Sequence, residues 1–289
     1  MCIRDSSFTD AKKSDAFGDI EKLRIVNPIS EDLNILRPSL LPNLLHAIKK
    51  NKTRNFESYS VFEIGSQFRS TSPEDQLNIA CGIKSGTKHA KSWKKEQNDF
   101  DIYDVKEDLI SLIDFLMPSN KKISVSKDCP SWYHPGRSGT IILNKSIKAG
   151  YFGELHPRIA NSFKIKNKIN IFELFLDELP NLEKNTTNKP PLSLSDFQVV
   201  TRDFAFIIDK KISSEEVVIA ASKVDKEIIR NVEIFDLFED DSIGQDKKSI
   251  AIKVIMQSNE KTLDESDISK ISSSIIQSVE TSTSGTVRS

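Results

Sequence analysis

Val199-Val200-Thr201-Arg202-Asp203-Phe204-Ala205-Phe206-Ile207-Ile208-Asp209 is the stretch whose reading decides the fold. It is rich in β-branched and aromatic residues and alternates after Arg202, which predicts a strand. Ser213 and Glu216 then stand at the spacing of a capping box, ahead of Val217, Ala221 and Val224 on one helical face. Ile228 to Glu239 and Lys248 to Gln257 read as two more strands, joined through the turn residues Asp240-Asp241-Ser242-Ile243-Gly244. Thr262 and Glu265 suggest a second capping box, followed by a core-facing stripe of Ile268, Ile271, Ile275 and Val279. Gly285 is expected to end that helix, and Thr286-Val287-Arg288 to form a short closing strand.

This strand–helix–strand–strand–helix–strand order is the ferredoxin-like arrangement: one antiparallel sheet with both helices on one face. The other face is left open, so side-chain parity carries information. Phe204, Phe206 and Ile208 point one way on the first strand, as do Ile250, Ile252, Val254 and Met256 on the third; these bulky apolar sets belong under the helices. The open face then carries Ala205, Ser249, Ala251 and Lys253. Small residues leave room for a flat ligand, and sheet faces serve as platforms for unstacked bases. An ordinary solvated face has the same pattern.

At 289 residues, 37% apolar and 29% charged, the chain has room for about two domains with cores of their own. No apolar run approaches the length of a membrane span, and no secretory pattern opens the chain. Cys2, Cys81 and Cys129 show no metal spacing, which suggests a reducing, cytoplasmic setting. Charge argues against a general nucleic-acid binder. From Pro191 onward there are 12 Lys and Arg against 18 Asp and Glu, whereas Phe8 to Pro190 carries 28 against 23. A domain that gripped RNA through its phosphates would be basic. Any RNA contact here is therefore local, through groups such as Lys210, Lys211, Lys247 and Lys248.

Residues 1–6, Met-Cys-Ile-Arg-Asp-Ser, look like a translated sequencing-adaptor remnant and are set aside. Ser7 to Leu23 is weakly patterned and reads as a frayed remnant of an upstream element. Leu41, Leu44, Leu45 and Ile48 form a helical apolar stripe. Tyr59 to Phe68 and Leu77 to Ile83 read as a hairpin. Asp104 is expected to cap a helix bearing Val105, Leu109, Leu112 and Leu116, stopped by Pro118. Strands are expected at Ile123–Lys127, Gly139–Leu143, Ile147–Gly153 and Ile169–Phe175, with a short helix opened by His156-Pro157. Mostly antiparallel strands with flanking helices make the fold class α+β. The expected division is a first domain over 7–180, a linker over 181–195 rich in Asn, Thr and Pro, and a second domain over 196–289.

Arg202-Asp203-Phe204-Ala205, Ile234-Phe235-Asp236-Leu237-Phe238, Lys247-Lys248-Ser249-Ile250-Ala251 and Lys261-Thr262-Leu263-Asp264 together resemble the ferredoxin-fold anticodon-binding domain. That domain closes the β subunit of bacterial phenylalanine–tRNA ligase and also occurs on the single-chain organellar enzyme. Asn27-Pro28-Ile29-Ser30, Leu36-Arg37-Pro38-Ser39-Leu40-Leu41 and Phe62-Glu63-Ile64-Gly65 resemble the β subunit's synthetase-like module, a degenerate class II catalytic fold. Tyr133-His134-Pro135-Gly136-Arg137 and Gly153-Glu154-Leu155-His156-Pro157 belong to the same resemblance, which covers nearly everything from Ile25 to Ser289. It implies a carboxy-terminal part of a β subunit within an (αβ)2 enzyme that charges tRNA with phenylalanine, the α subunit holding the active site. It also implies ATP and Mg2+ as cofactors of the whole enzyme and none in this part, with the tyrosyl-tRNA editing pocket and the magnesium carboxylates lying upstream. The family's anticodon-reading positions match Ala205, Phe238 and Ser249, with Lys248 beside them. Phe238 stands where a tyrosine is usual, which keeps a stacking surface and loses a hydroxyl donor. A stand-alone tRNA- or protein-interaction module is the alternative.

The residues themselves agree with an inert first domain. A class II site needs an Arg-x-Glu on the hairpin strand for the α-phosphate and a Gly-x-Glu-Arg for the nucleotide; Phe62-Glu63-Ile64-Gly65-Ser66-Gln67-Phe68-Arg69 holds neither. Their absence favours the β subunit over the single-chain enzyme. His134-Pro135 and His156-Pro157 read as turn-formers rather than a metal pair. Gly136-Arg137-Ser138-Gly139 reads as a hairpin lead-in rather than a phosphate loop, and the Lys84–Lys95 run as a solvated loop.

Overall fold

The structure is a computed structural model and describes residues 6–288 apart from 53, 55, 57, 95, 118–120 and 181–194. The adaptor-like start up to residue 5, Pro118 and nearly all of the expected linker lie outside the described residues. The chain divides into two compact units, Met1–Thr186 and Thr187–Ser289.

In the first unit β1 (Phe8–Thr9) and β2 (Ile35–Leu36) pair antiparallel, with α1 (Ala11–Ser14) between them. Ala11, Phe17 and Leu23 are buried, so the stretch expected to be frayed is docked through its few apolar side chains. α2 (Leu41–Lys52), β3 (Tyr59–Phe68), β4 (Gln76–Ser85), α3 (Ile102–Leu116), β5 (Ile123–Ser126), β6 (Tyr133–Leu143), β7 (Ile147–Leu155), α4 (Pro157–Ser162) and β8 (Asn170–Phe175) follow. The strands form one antiparallel sheet in the order β3-β4-β8-β7-β6-β5. Alternation splits its side chains between two cores. Ile79, Cys81 and Ile83 pack with Leu41, Leu44, Leu45 and Ile48 of α2. Ala80, Phe172 and Leu174 pack with Val105, Leu109 and Ile113 of α3.

The second unit runs β9 (Val200–Asp209), α5 (Ser214–Ser222), β10 (Ile229–Phe238), β11 (Lys247–Met256), α6 (Glu265–Thr283) and β12 (Thr286–Val287). Its sheet order is β10-β11-β9-β12, every neighbour antiparallel. Phe206, Ile208, Ile250, Ile252, Val254 and Met256 form one core with Val217, Ala221, Ile275 and Val279 of the helices. Both helices therefore cover the same face, and the fold is α+β with a ferredoxin-like second unit.

Three caps differ from the expectation. Asp101, not Asp104, is the N-cap of α3: it accepts from the Tyr103 and Asp104 amides, while Asp104, the third residue of the helix, reaches back to the Asp101 N–H and completes the box. α6 starts at Asp264, which accepts from the Asp267 N–H at 2.8 Å. Leu263 is buried and Ile268 packs on the same core, a staple across the first turn that pulls the start beyond Thr262. The left-handed residue ending α6 is Ser284 at φ 50°, not Gly285. Gly285 is needed for close approach instead, because a Cβ there would lie 2.6 Å from Ile208 Cγ2 and 2.8 Å from the Ile207 carbonyl oxygen.

Arg37 joins the amino-terminal segment to the sheet of the first unit. Its side chain is 2% exposed; it ion-pairs with Glu63 and its Nε donates to the Ser66 carbonyl at 2.7 Å. A Cβ on Gly65 would lie 2.3 Å from an Arg37 guanidinium nitrogen, so the strand needs a glycine where the arginine crosses it. Gly65→Ala is expected to push the guanidinium off Glu63 and to destabilise the first unit by about 3 kcal/mol, the scale for breaking a buried ion pair. Urea denaturation followed by tryptophan fluorescence reads this directly, since Trp93 and Trp132 both lie in that unit; an unmoved midpoint contradicts it.

Candidate nucleic-acid interface

The open face is set by strand register. β9 and β11 pair without interruption from Lys247↔Asp209 to Met256↔Val200. Ser249 lies across from Ile207 on one side and from Phe238 on the other, and Ala251 across from Ala205 and Asp236. The partners of a pair leave the sheet on the same face. Ala205, Ser249 and Phe238 are therefore brought together on the face away from the helices. Ala205 is half-buried and Phe238 is 40% exposed, whereas Ser249 is only 4% exposed. No helix covers it. The Arg288 guanidinium lies 5.4 Å from the Phe238 ring centroid, reaching in from beyond the end of β12, and Phe238 and Ile207 are the register neighbours of Ser249.

Lys248 is on the other side. Its register partner is Ile208, a core residue, so its side chain leaves on the helix face, away from Ala205 and Ser249. Grouping it with them rested on charge; parity separates them. Lys210 pairs with Glu239 at 3.2 Å near the turn.

β10 contains a bulge. Ile234 pairs with Ile252 and Asp236 with Ala251, leaving Phe235 as the extra residue. Lys253, which projects from the open face, places its ammonium 5.6 Å from the Phe235 ring centroid. The face thus bears two rings, each beside a cation, around a floor of small side chains. Register also puts Asp203, Glu233 and Asp236 on this face, across from Lys253 or Ala251, and the pair Lys247 and Asp209 at the end of the strands. Such a mixed, partly acidic surface suits the faces of bases better than a run of phosphates.

Sequence reasoning missed Arg288 and Phe235. The closing strand placed Arg288 at the correct edge, and counting parity inward from Val287 opposite Phe206 would have put it on the open face. The bulge that turns Phe235 outward left no local signal.

The first unit has a cavity of about 310 Å³ on its sheet, walled by Phe17, Trp132, Tyr151 and Phe175. Glu173 lies in its floor and is 2% exposed. It accepts from Tyr133 Oη at 2.9 Å, Ser39 Oγ at 3.3 Å and Trp132 Nε1 at 3.4 Å. Burial raises the Glu173 carboxyl above the usual range despite these three donors, which favour the charged form. Arg69 sits exposed at the rim. A triphosphate does not fit this donor set: Arg37 is committed to Glu63 and Ser66, and Arg69 stands by itself. His134 and His156 are each tied to a local turn, their Nδ1 atoms accepting from the Gly136 and Arg158 amides. Among the described residues no three His, Cys, Asp or Glu side chains cluster as metal ligands. In the lysine run, Lys84 pairs with Asp108 and Lys88 with Asp104, which holds this loop against α3.

Residues 3–176 match the family model described as the phenylalanyl tRNA synthetase beta chain CLM domain, and residues 195–288 match the ferredoxin-fold anticodon binding domain. The chain is 39% identical over 288 residues to the phenylalanine–tRNA ligase β subunit of Bartonella quintana, covering 98% of this chain and 36% of that protein. The corresponding subunit of Rhodospirillum rubrum is 38% identical over 274 residues, with 94% and 34% covered. The subunit of Mesorhizobium japonicum is 36% identical over 288 residues, with 98% and 36% covered. The chain therefore spans about a third of the length of the curated relatives it matches. No helix among the described residues is long and apolar enough to cross a membrane.

Because the Glu173 carboxyl is raised, its contribution to stability is fully present below the ordinary glutamate range and is lost as pH rises through the folded-state value. Glu173→Gln keeps the shape and removes the titration. The wild-type stability relative to this variant is expected to fall with rising pH across that window, read by tryptophan fluorescence during urea unfolding. Parallel wild-type and variant curves contradict the assignment.

Proposed function

Since the chain belongs to the phenylalanyl-tRNA synthetase β-chain family, we propose that it works as part of a phenylalanine–tRNA ligase β subunit, the second unit holding the anticodon region of tRNA during ATP-dependent charging. The observation that carries this is the alignment of Phe238, Ser249 and Ala205 on a sheet face that the helices leave open. Phe238 offers a ring for stacking, Ala205 the clearance for a flat base, and Ser249 a hydroxyl beside the ring.

The first unit serves as a non-catalytic scaffold. Its sheet keeps the shape of a class II synthetase while Arg37 is spent on Glu63, so ATP and Mg2+ act elsewhere in the whole enzyme. The partner is the α subunit, in an (αβ)2 assembly, in the cytoplasm. The proposed boundaries are 7–180 for the scaffold and 196–289 for the anticodon-binding domain. A stand-alone interaction module has no comparable support, because both family models are matched in order along nearly the whole chain.

Phe238→Ala is expected to weaken tRNA binding in the αβ complex by about 1–3 kcal/mol, one stacking contact. Filter binding or fluorescence anisotropy measures it, and unchanged affinity would sink the assignment of this face. The salt dependence is a second check. With Lys247, Lys253 and Arg288 as cations on the face, the isolated chain should bind a single-stranded loop with a log–log slope no steeper than about −2, at roughly −0.7 per phosphate; a slope near −5 would mean that phosphates dominate.

A further inference from the structure

We propose that the open sheet face of the second unit is a two-base platform, in which a second unstacked base, adjacent in sequence to the one on Phe238, seats on Phe235 beside Lys253. The inference rests on the RNA-binding reading above and adds a position to it.

Three observations carry it. Phe235 is 53% exposed, and only the bulge between Ile234 and Asp236 turns its ring to the same face as Phe238. Bulges are features that re-aim side chains, and this one puts two rings three positions apart on one face. Next, each ring already has a cation over it, Lys253 at 5.6 Å and Arg288 at 5.4 Å, and the two cations come from different strands. Exposed cation–ring contacts are weak enough to give way to a base or to sandwich one.

The spacing is the third observation. Phe238 lies across from Ser249, and Phe235 falls between the partners Ile252 and Ala251. At about 3.3 Å per residue the two positions are roughly 8 Å apart along the strand. That is about twice the 3.4 Å rise of a stacked strand, too far for neighbours that remain stacked and suited to neighbours splayed apart. The small Ala251 and Ala205 side chains form the floor between them. Asp203, Glu233 and Asp236 on the same face discourage the phosphates from lying there, so the bases point in and the backbone runs outside.

The test uses the full chain and a fluorescein-labelled RNA hairpin with a seven-nucleotide loop, alone and with a single abasic nucleotide at each loop position, read by anisotropy. Wild-type protein should lose about ten-fold in affinity at each of two adjacent abasic positions. Phe235→Ala should bind the intact loop about ten-fold more weakly and become indifferent to one of those two positions while still sensing the other; Phe238→Ala should show the reverse. Phe235→Tyr keeps the ring and should bind like wild type, and a loss there equal to that of the alanine variant would mean damage to the strand and count against the proposal. Sensitivity at one position only, or a Phe235→Ala variant with wild-type affinity, overturns the second seat and leaves the Phe238 site standing. Absence of any hairpin binding by wild-type protein overturns both.

Discussion

The unbroken antiparallel register between Val200–Asp209 and Lys247–Met256 is the constraint on which the recognition face depends. Side chains alternate with a period of two, so a slip by one residue would exchange the core set for the open set along both central strands. The helices prevent it. Phe206, Ile208, Ile250, Ile252, Val254 and Met256 are buried against α5 and α6, and turning them to water would forfeit about 1.5–3 kcal/mol for each large side chain. The small residues of the opposite face are held in place by what lies beneath them. Ala205 and Ser249 need no contacts of their own to be positioned.

The edge strand follows another rule. β10 is mostly exposed and carries the bulge, so its side chains are not dictated by the core. This freedom lets two rings, Phe235 and Phe238, stand on one face three positions apart, which strict alternation forbids. The rings lie beside Lys253 and Arg288 on a surface that also carries acidic groups. A unit with an acidic balance can still engage RNA if the contact is made through base faces. The central strands supply rigidity and the edge strand supplies chemistry.

The first unit treats its polar groups differently. Arg37, Glu63 and Glu173 sit on or against the sheet, and their donors and acceptors are used internally. Buried charges without partners cost several kcal/mol, so such a network must be completed by the protein itself. Once completed, it has little left to offer a ligand. Gly65, part of a motif that first appears to be a mere strand pattern, is explained by the passage of Arg37 across it.

The α5 capping box, the α6 stripe, most strands of the two larger sheets and the side of the sheet taken by Ala205, Ser249 and Lys253 were legible in the residues alone, because local hydrogen-bonding chemistry and a period of 2 or 3.6 dictate them; the short pair β1 and β2 was not. The start of α6 was misread, since burial of Leu263 outweighed the local signal of Thr262 and Glu265. Lys248 was grouped by charge with residues that parity places on the opposite face. Only the tertiary structure decided that Phe235 turns outward, that Arg288 reaches over Phe238, and that Ser249 is buried rather than open to water. Each of these depends on groups distant in the chain meeting across a sheet, and no pattern within a single segment encodes which strand will lie beside it, where the pairing slips, or how far a side chain from the far edge extends.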